Sequence, residues 1–243
     1  MNTQLLYRDD FYLAETDAAV TVVHEDGGIE FDRTCFYAAS GGQPGDTGFI
    51  QRADGTRIEL GPARHGATKE TVIHVPLEGQ AALAVGEQVR LSIDWARRLK
   101  LMRMHTACHL LSVVCSYPVT GAAVGEDESR IDFDVTDPME KDEVTARLMD
   151  LVNADHPVYV QWITDEELAA NPGIVKSKYV KPPVGLGRVS LVCIGENSSV
   201  DSQPCGGTHV ASTKEIGAVY IAKIEKKGKE NRRFRIRFGE PTA

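Results

Sequence analysis

Short runs of alternating apolar and polar residues, each broken by a turn signal, fill the first ~90 positions of the chain. Stretches such as AAVTVVHEDGGIEFD, GFIQRADGTRIEL, TVIHVPL and GEQVRLSID have the period of two that lays one face of a strand on a core. Asp26-Gly27-Gly28 and Asp54-Gly55 fall between such runs, where two-residue hairpin turns favour Asp-Gly. Several strands at this spacing, with no helical pattern among them, predict a small β-barrel. The period changes at DWARRLKLMRMHTACHLLSVVCSYP. There Trp95, Leu99, Met102, His105, His109 and Leu110 recur at steps of three and four, and Pro118 closes the run. This spacing predicts a long, largely buried helix.

Beyond it the pattern is mixed. DPMEKDEVTARLMDLVNAD reads as a helix with Asp137 as N-cap and Pro138 in the first helical position. PVYVQWI reads as a strand, TDEELAAN as a short helix opened by its threonine, and GRVSLVCIG as a strand. IGAVYIAKIEKKGKENRRFRIRFG reads as a terminal hairpin turning near Lys227-Gly228-Lys229. Helices on a mostly antiparallel sheet make an α+β fold. The expected organisation is an N-terminal β-barrel domain over residues 1–92 and an α+β domain over residues 93–243.

Composition narrows the class. With 243 residues, 42% hydrophobic and 26% charged, the chain can bury a substantial core. No run approaches the ~18 apolar residues of a membrane span, and the acidic start lacks the layout of a secretory signal. Five cysteines, odd in number and scattered, suit a reducing cytoplasm better than a disulfide framework. The net charge of −8 is unevenly spread: nine Lys/Arg between Lys214 and Arg237 face three Glu, a net of +6, so the remainder carries −14. A phosphate-facing surface and a merely solvated hairpin both fit that asymmetry. A smaller basic group, Arg97, Arg98, Lys100 and Arg103, leads directly into MHTACHLL.

Three constellations carry candidate chemistry. His105 and His109 are four apart, so on a helix they project from one face, the geometry by which two imidazoles grip one ion; two hydrogen-bonded core histidines would show the same spacing. No Glu follows His105, so the metalloprotease pattern is absent. Cys205 and His209, also four apart, could be a nucleophile and its base or two metal ligands. The nucleophile reading needs a third, orienting group to which the sequence does not point. Taken together the four residues form His-His-Cys-His, a set that zinc accepts readily, with Gly206 and Gly207 letting the loop pass close to the metal. The third constellation, YAASGGQPGDTG, invites a phosphate-loop reading, but no Lys-Ser/Thr follows and no helix starts after it. A tight turn accounts for its glycines and leaves Gln43, whose carboxamide both donates and accepts.

GGQPGDTG, then HTACHLL, then CGGTHV followed by EIGAVYIAKIEKKGKENRRFRI, resembles the editing domain of alanyl-tRNA synthetases, in order and over nearly the whole chain. No stretch resembles the ATP-binding aminoacylation core, so the nearest likeness is to the free-standing alanyl-tRNA editing proteins of the AlaX type, in the longer form that keeps the barrel. The resemblance implies a translation-protein-like barrel and a second domain similar to the editing domain of threonyl-tRNA synthetases. It implies hydrolysis of the ester joining a wrong amino acid, serine or glycine, to tRNA(Ala), with one zinc ion at His105, His109, Cys205 and His209. Gln43 and Thr106 would be the catalytic pocket residues, and Gly41, Gly42, Gln43, Thr106 and Asp201 the substrate-binding set. Arg97, Arg98, Lys226, Lys227, Lys229, Arg232 and Arg233 would meet phosphates near the acceptor end. Two departures from the synthetase pattern stand out: Cys108 where those domains often have Thr, and DSQP before Cys205 where they often have an acidic-apolar pair. The competing readings are an RNA- or protein-binding module with a structural zinc, and a zinc amidase or esterase of small molecules.

Overall fold

A computed structural model describes residues 3–179 and 187–241, a strand-rich mixed α/β protein. The chain divides into two units, Met1–Leu99 and Lys100–Ala243. In the first, five strands carry the architecture: β1 (Glu15–Val23), β2 (Ile29–Phe31), β3 (Gly48–Arg52), β4 (Arg57–Leu60) and β5 (Gln88–Ile93). They form one antiparallel sheet in the order β2-β1-β5-β3-β4. The N-terminal half of β1 pairs with β5 and its C-terminal half with β2, and the register shifts between Val20 and Val22. An irregularity of this kind bends a strand, and the sheet curls. The two outer strands both bridge to one segment: Ile29 pairs with His74, and Leu60 with Pro76. Phe31, Phe36, Tyr37, Ile50, Ile58 and Leu91 fill the core.

Turns form at both predicted Asp-Gly sites, but as longer loops than two-residue hairpins, closed by His24 N–H to Gly28 O and Arg52 N–H to Thr56 O. Gly27 and Gly55 take φ of 83° and 86°, and the Asp26 and Asp54 carboxylates accept from the backbone N–H groups of Gly28 and Thr56. In the Gly-rich loop, Ser40 and Gln43 exchange backbone hydrogen bonds of 3.1 and 2.9 Å around Gly41 (φ 57°) and Gly42 (φ 87°). Two consecutive positive φ values are what a primed hairpin turn demands, and only glycine meets them without strain. Gly45 has a different reason: a Cβ there would sit 1.9 Å from the carbonyl oxygen of Ala63.

Helix α1 spans Trp95–Val114. The division between the units falls inside it, past the expected 92/93 boundary, because its first turn bonds into the first unit. Arg97 donates to the Gly45 carbonyl at 2.7 Å, and Arg98 to Asp46.

The second unit holds β6 (Val119–Ala123), β7 (Glu128–Asp134), α2 (Lys141–Asn153), β8 (Val158–Ile163), α3 (Asp165–Ala170), β9 (Val189–Ile194), β10 (Asp201–Pro204), β11 (Val219–Lys226) and β12 (Asn231–Phe238). Two antiparallel sheets result, β6-β7-β12-β11 and β8-β9-β10. Val144, Leu148 and Val152 form the buried stripe of α2, at the i, i+4, i+8 spacing of one helix face. A capping box between Thr164 and Glu167 opens α3 as its sequence foretells. The start of α2 differs. It begins at Lys141, without a side-chain cap, rather than at Asp137-Pro138. Residues 134–136 are still tied to the sheet, since Val135 N–H bonds Glu230 O and Arg232 bonds Thr136 O, so the chain turns helical only after leaving it. Among the described residues no helix is long and apolar enough to cross a membrane.

Candidate metal centre

His105 and His109 stand one turn apart on α1, where residues 104–111 are all buried. Cys205 follows β10 directly and is held in place from β9: its N–H bonds Ser190 O at 3.1 Å, and Ser190 Oγ donates to its carbonyl at 2.6 Å. His209 lies four residues on and is fully buried. The ligand atoms of the four side chains all lie within 4.8 Å of one another. Cys205 Sγ is 3.5 Å from His105 Nε2 and 3.4 Å from His209 Nε2. In a tetrahedral site with bonds of 2.0–2.3 Å, neighbouring donors are separated by about 3.3–3.8 Å, so these spacings suit a shared ion.

Electrostatics point the same way. Burial alone would raise the Cys205 thiol, yet the facing His105 and His209 bring it well below its ordinary value. Burial and the charge of His105 push His209 down to about 3. His109 is lowered by burial, but Asp201 and Cys205 outweigh that and hold it at about 9. A thiolate among three imidazoles is a donor set for a borderline-soft cation. It is not the layout of a nucleophile with one base, since the sulfur faces two imidazoles and accepts from the Gly207 N–H at 3.4 Å. The thiol of Cys108, raised to about 12 by burial, is inert.

Several expectations change here. Neither Gly206 nor Gly207 takes a positive φ, and a Cβ on Gly206 would meet nothing within 4 Å, so Gly206 answers to neither conformation nor space. The Thr106 hydroxyl is fully engaged: it donates to Met102 O at 2.9 Å and faces His209 Nδ1 at 3.1 Å and the Val210 N–H at 3.3 Å. It has no capacity left for a substrate hydroxyl, and it sets His209 with Nε2 toward the cluster. Asp201 is buried behind His109, its Oδ2 3.5 Å from Nδ1. Gln43, Gly41 and Gly42 belong to the first unit, where Gln43 is buried.

Among the expected phosphate contacts, Arg98 must be withdrawn. Its side chain is fully buried and bonded to Asp46, Phe11 O and Cys35 O. Arg233 forms two bonds of 2.8 Å with Asp132, and Arg232 is committed to Thr136 O. Lys226, Lys227 and Lys229 are exposed at the β11–β12 turn. Sequence reasoning missed Lys176, Gln203 and Ser112, which surround Asp201. The one signal was the unusual DSQP, whose alternate residues face the same way on β10.

Residues 189–235 match the threonyl and alanyl tRNA synthetase second additional domain, and residues 11–97 match the class II (A) tRNA synthetases. An alanyl-tRNA editing protein AlaX-M of Methanosarcina acetivorans is 35% identical over 245 residues, covering 96% of this chain and 97% of that protein. One from Saccharolobus solfataricus is 31% identical, over 95% and 97%. An alanine–tRNA ligase of Pyrobaculum arsenaticum is 35% identical over 92% of this chain, but the matched part is 25% of that enzyme. Because the likeness runs end to end through the helix and the loop that supply the four donors, this chain belongs to the AlaX-M family of alanyl-tRNA editing proteins.

Proposed function

We propose that the protein is a cytoplasmic, trans-acting aminoacyl-tRNA deacylase that hydrolyses the ester of mischarged tRNA(Ala), seryl-tRNA(Ala) above all and glycyl-tRNA(Ala) second. The observation that carries this is the cluster of three buried histidines and one half-buried cysteine, in a chain that aligns along its length with editing proteins. We take the ion to be zinc, held by His105, His109, Cys205 and His209. Bound there, zinc would lend positive charge to the polar groups of the ester or to a water. The donor set is closed, which favours an organising ion.

The chain's own residues set that organisation. Thr106 orients His209, the β9 contacts fix Cys205, and α1 fixes the spacing of His105 and His109. Gln43, presented by the Gly41-Gly42 turn, contacts the aminoacyl end, a role that rests on the family motif. Arg97, Lys226, Lys227 and Lys229 meet tRNA phosphates. For the first unit we propose a translation-protein-like barrel, supported by the shared bridging segment between β2 and β4.

The test is to incubate the protein with seryl-, glycyl- and alanyl-tRNA(Ala) and follow the ester remaining, beside Cys205→Ala and chelator-treated protein. Wild type is expected to discharge the seryl ester fastest and spare the alanyl ester, and both controls are expected to lose most of the rate. If wild type and Cys205→Ala both leave the seryl ester at the buffer rate, the deacylase reading fails. Slower hydrolysis than in buffer would instead mark a binding module with a structural ion.

A further inference from the structure

Behind the donor cluster lies a second set of polar side chains, of which Asp201 alone carries an expected role, in the substrate-binding set. Asp201 opens β10 with its side chain 1% exposed. Its Oδ1 accepts from Lys176 Nζ at 2.5 Å and its Oδ2 from Gln203 Nε2 at 2.6 Å. The same two donors reach Ser112 Oγ, at 3.3 and 3.1 Å, and that hydroxyl donates to the His109 carbonyl at 2.7 Å. Ser112, Lys176, Asp201 and Gln203 therefore form one network, tied to the His109 backbone through Ser112 and lying beside its imidazole through Asp201.

That imidazole has an unmet need. His109 Nδ1 is buried and completes no hydrogen bond, while Asp201 Oδ2 stands 3.5 Å away. An imidazole that gives one nitrogen to a metal carries a proton on the other, and a carboxylate or carbonyl accepting that proton fixes both tautomer and ring orientation. Thr106 performs this service for His209 through a hydroxyl. A carboxylate clamped at both oxygens by Lys176 and Gln203 is held rigid enough to perform it for His109.

We propose that Asp201 is a positioning residue for His109: it accepts the Nδ1 proton and thereby aims Nε2 at the ion, with Lys176 and Gln203 clamping the carboxylate. The proposal rests on the cluster being a metal site, and it assigns Asp201 away from the substrate.

The experiment titrates metal-free full-length protein with zinc against a chromophoric chelator, for wild type, Asp201→Ala, Asp201→Asn and His105→Ala. Asp201→Ala is expected to bind zinc about ten- to hundredfold more weakly, and Asp201→Asn, which keeps an acceptor oxygen, to fall between it and wild type. In the zinc-loaded wild type, nitrogen-edited imidazole spectra should show a slowly exchanging His109 Nδ1 proton, absent in Asp201→Ala. A purely structural role would not move that signal. Near-isosteric Asp201→Asn carries the test should the alanine variant fail to fold. Folded Asp201 variants that bind zinc within twofold of wild type and keep the proton signal overturn the proposal. A wild type that takes up no zinc, matching His105→Ala, instead overturns the metal reading beneath it.

Discussion

Thr106 shows how a single hydroxyl is consumed by its surroundings. It has one proton and two lone pairs, and its neighbours are a carbonyl, a histidine nitrogen and a backbone N–H. The family resemblance makes this residue a pocket hydroxyl, whereas its geometry makes it a bracket for the loop that carries His209. Thr106→Val separates the two. The isosteric change strands the Val210 N–H and the His209 Nδ1 proton in a buried setting, so we expect a loss of about 1–3 kcal/mol in urea unfolding and weaker zinc binding, with Thr106→Ser restoring both. Unchanged zinc affinity with lost preference for the seryl over the alanyl ester would return the residue to the substrate. Residue identity signalled the four donors through paired four-residue spacings. It did not signal which carboxylate stands behind His109 or which hydroxyl behind His209, because those partners come from positions roughly 90 to 100 residues away.

At the scale of elements, the start of α1 is tied to the Gly-rich loop by a buried charge pair. Arg98 Nε bonds both oxygens of Asp46 at 2.9 and 3.0 Å, and the same carboxylate accepts the Tyr37 N–H at 2.7 Å. Removing one partner of such a pair leaves the other charged in a dry site. Arg98→Ala and Asp46→Ala are each expected to cost about 3–5 kcal/mol, read as a fall in the urea midpoint, while an apolar double replacement should cost less than either. Single variants within 1 kcal/mol of wild type would show that the loop is held by other means. This pair also marks where sequence reading stops. Strand runs, Asp-Gly turns, the long helix, the α3 cap and the terminal hairpin were readable because each depends on neighbours along the chain. Arg98 sits in a basic tetrad and looks like a surface charge in sequence, since its acidic partner lies 52 positions earlier. Likewise, nothing within DPMEKD shows that the preceding residues are still bonded to Glu230 and Arg232, which delay α2.

Over the whole molecule the same effect recasts the charge balance. The net of +6 between Lys214 and Arg237 is a property of a linear segment, and the sheet answers it from β7. Glu128 pairs with Arg235 and Arg237, and Asp132 with Arg233. Within the hairpin, bonds from Arg235 and Lys223 hold Glu225 down at about 2. Four of the nine basic residues, Lys223, Arg233, Arg235 and Arg237, are therefore matched by carboxylates of the same sheet, and Lys226, Lys227 and Lys229 stand exposed at the turn between β11 and β12. Counterion release makes the distinction measurable, because each phosphate contact adds about 0.7–0.9 to the slope of log affinity against log salt. Replacing Lys226, Lys227 and Lys229 together by alanine should reduce that slope for tRNA by about 2–3 and weaken binding to every tRNA alike. Arg233→Gln should barely change the slope while lowering the urea midpoint, since its charge is already spent on Asp132. Filter binding across a potassium chloride series reads both effects. An unchanged slope in the triple variant would move the phosphate contacts away from the hairpin turn.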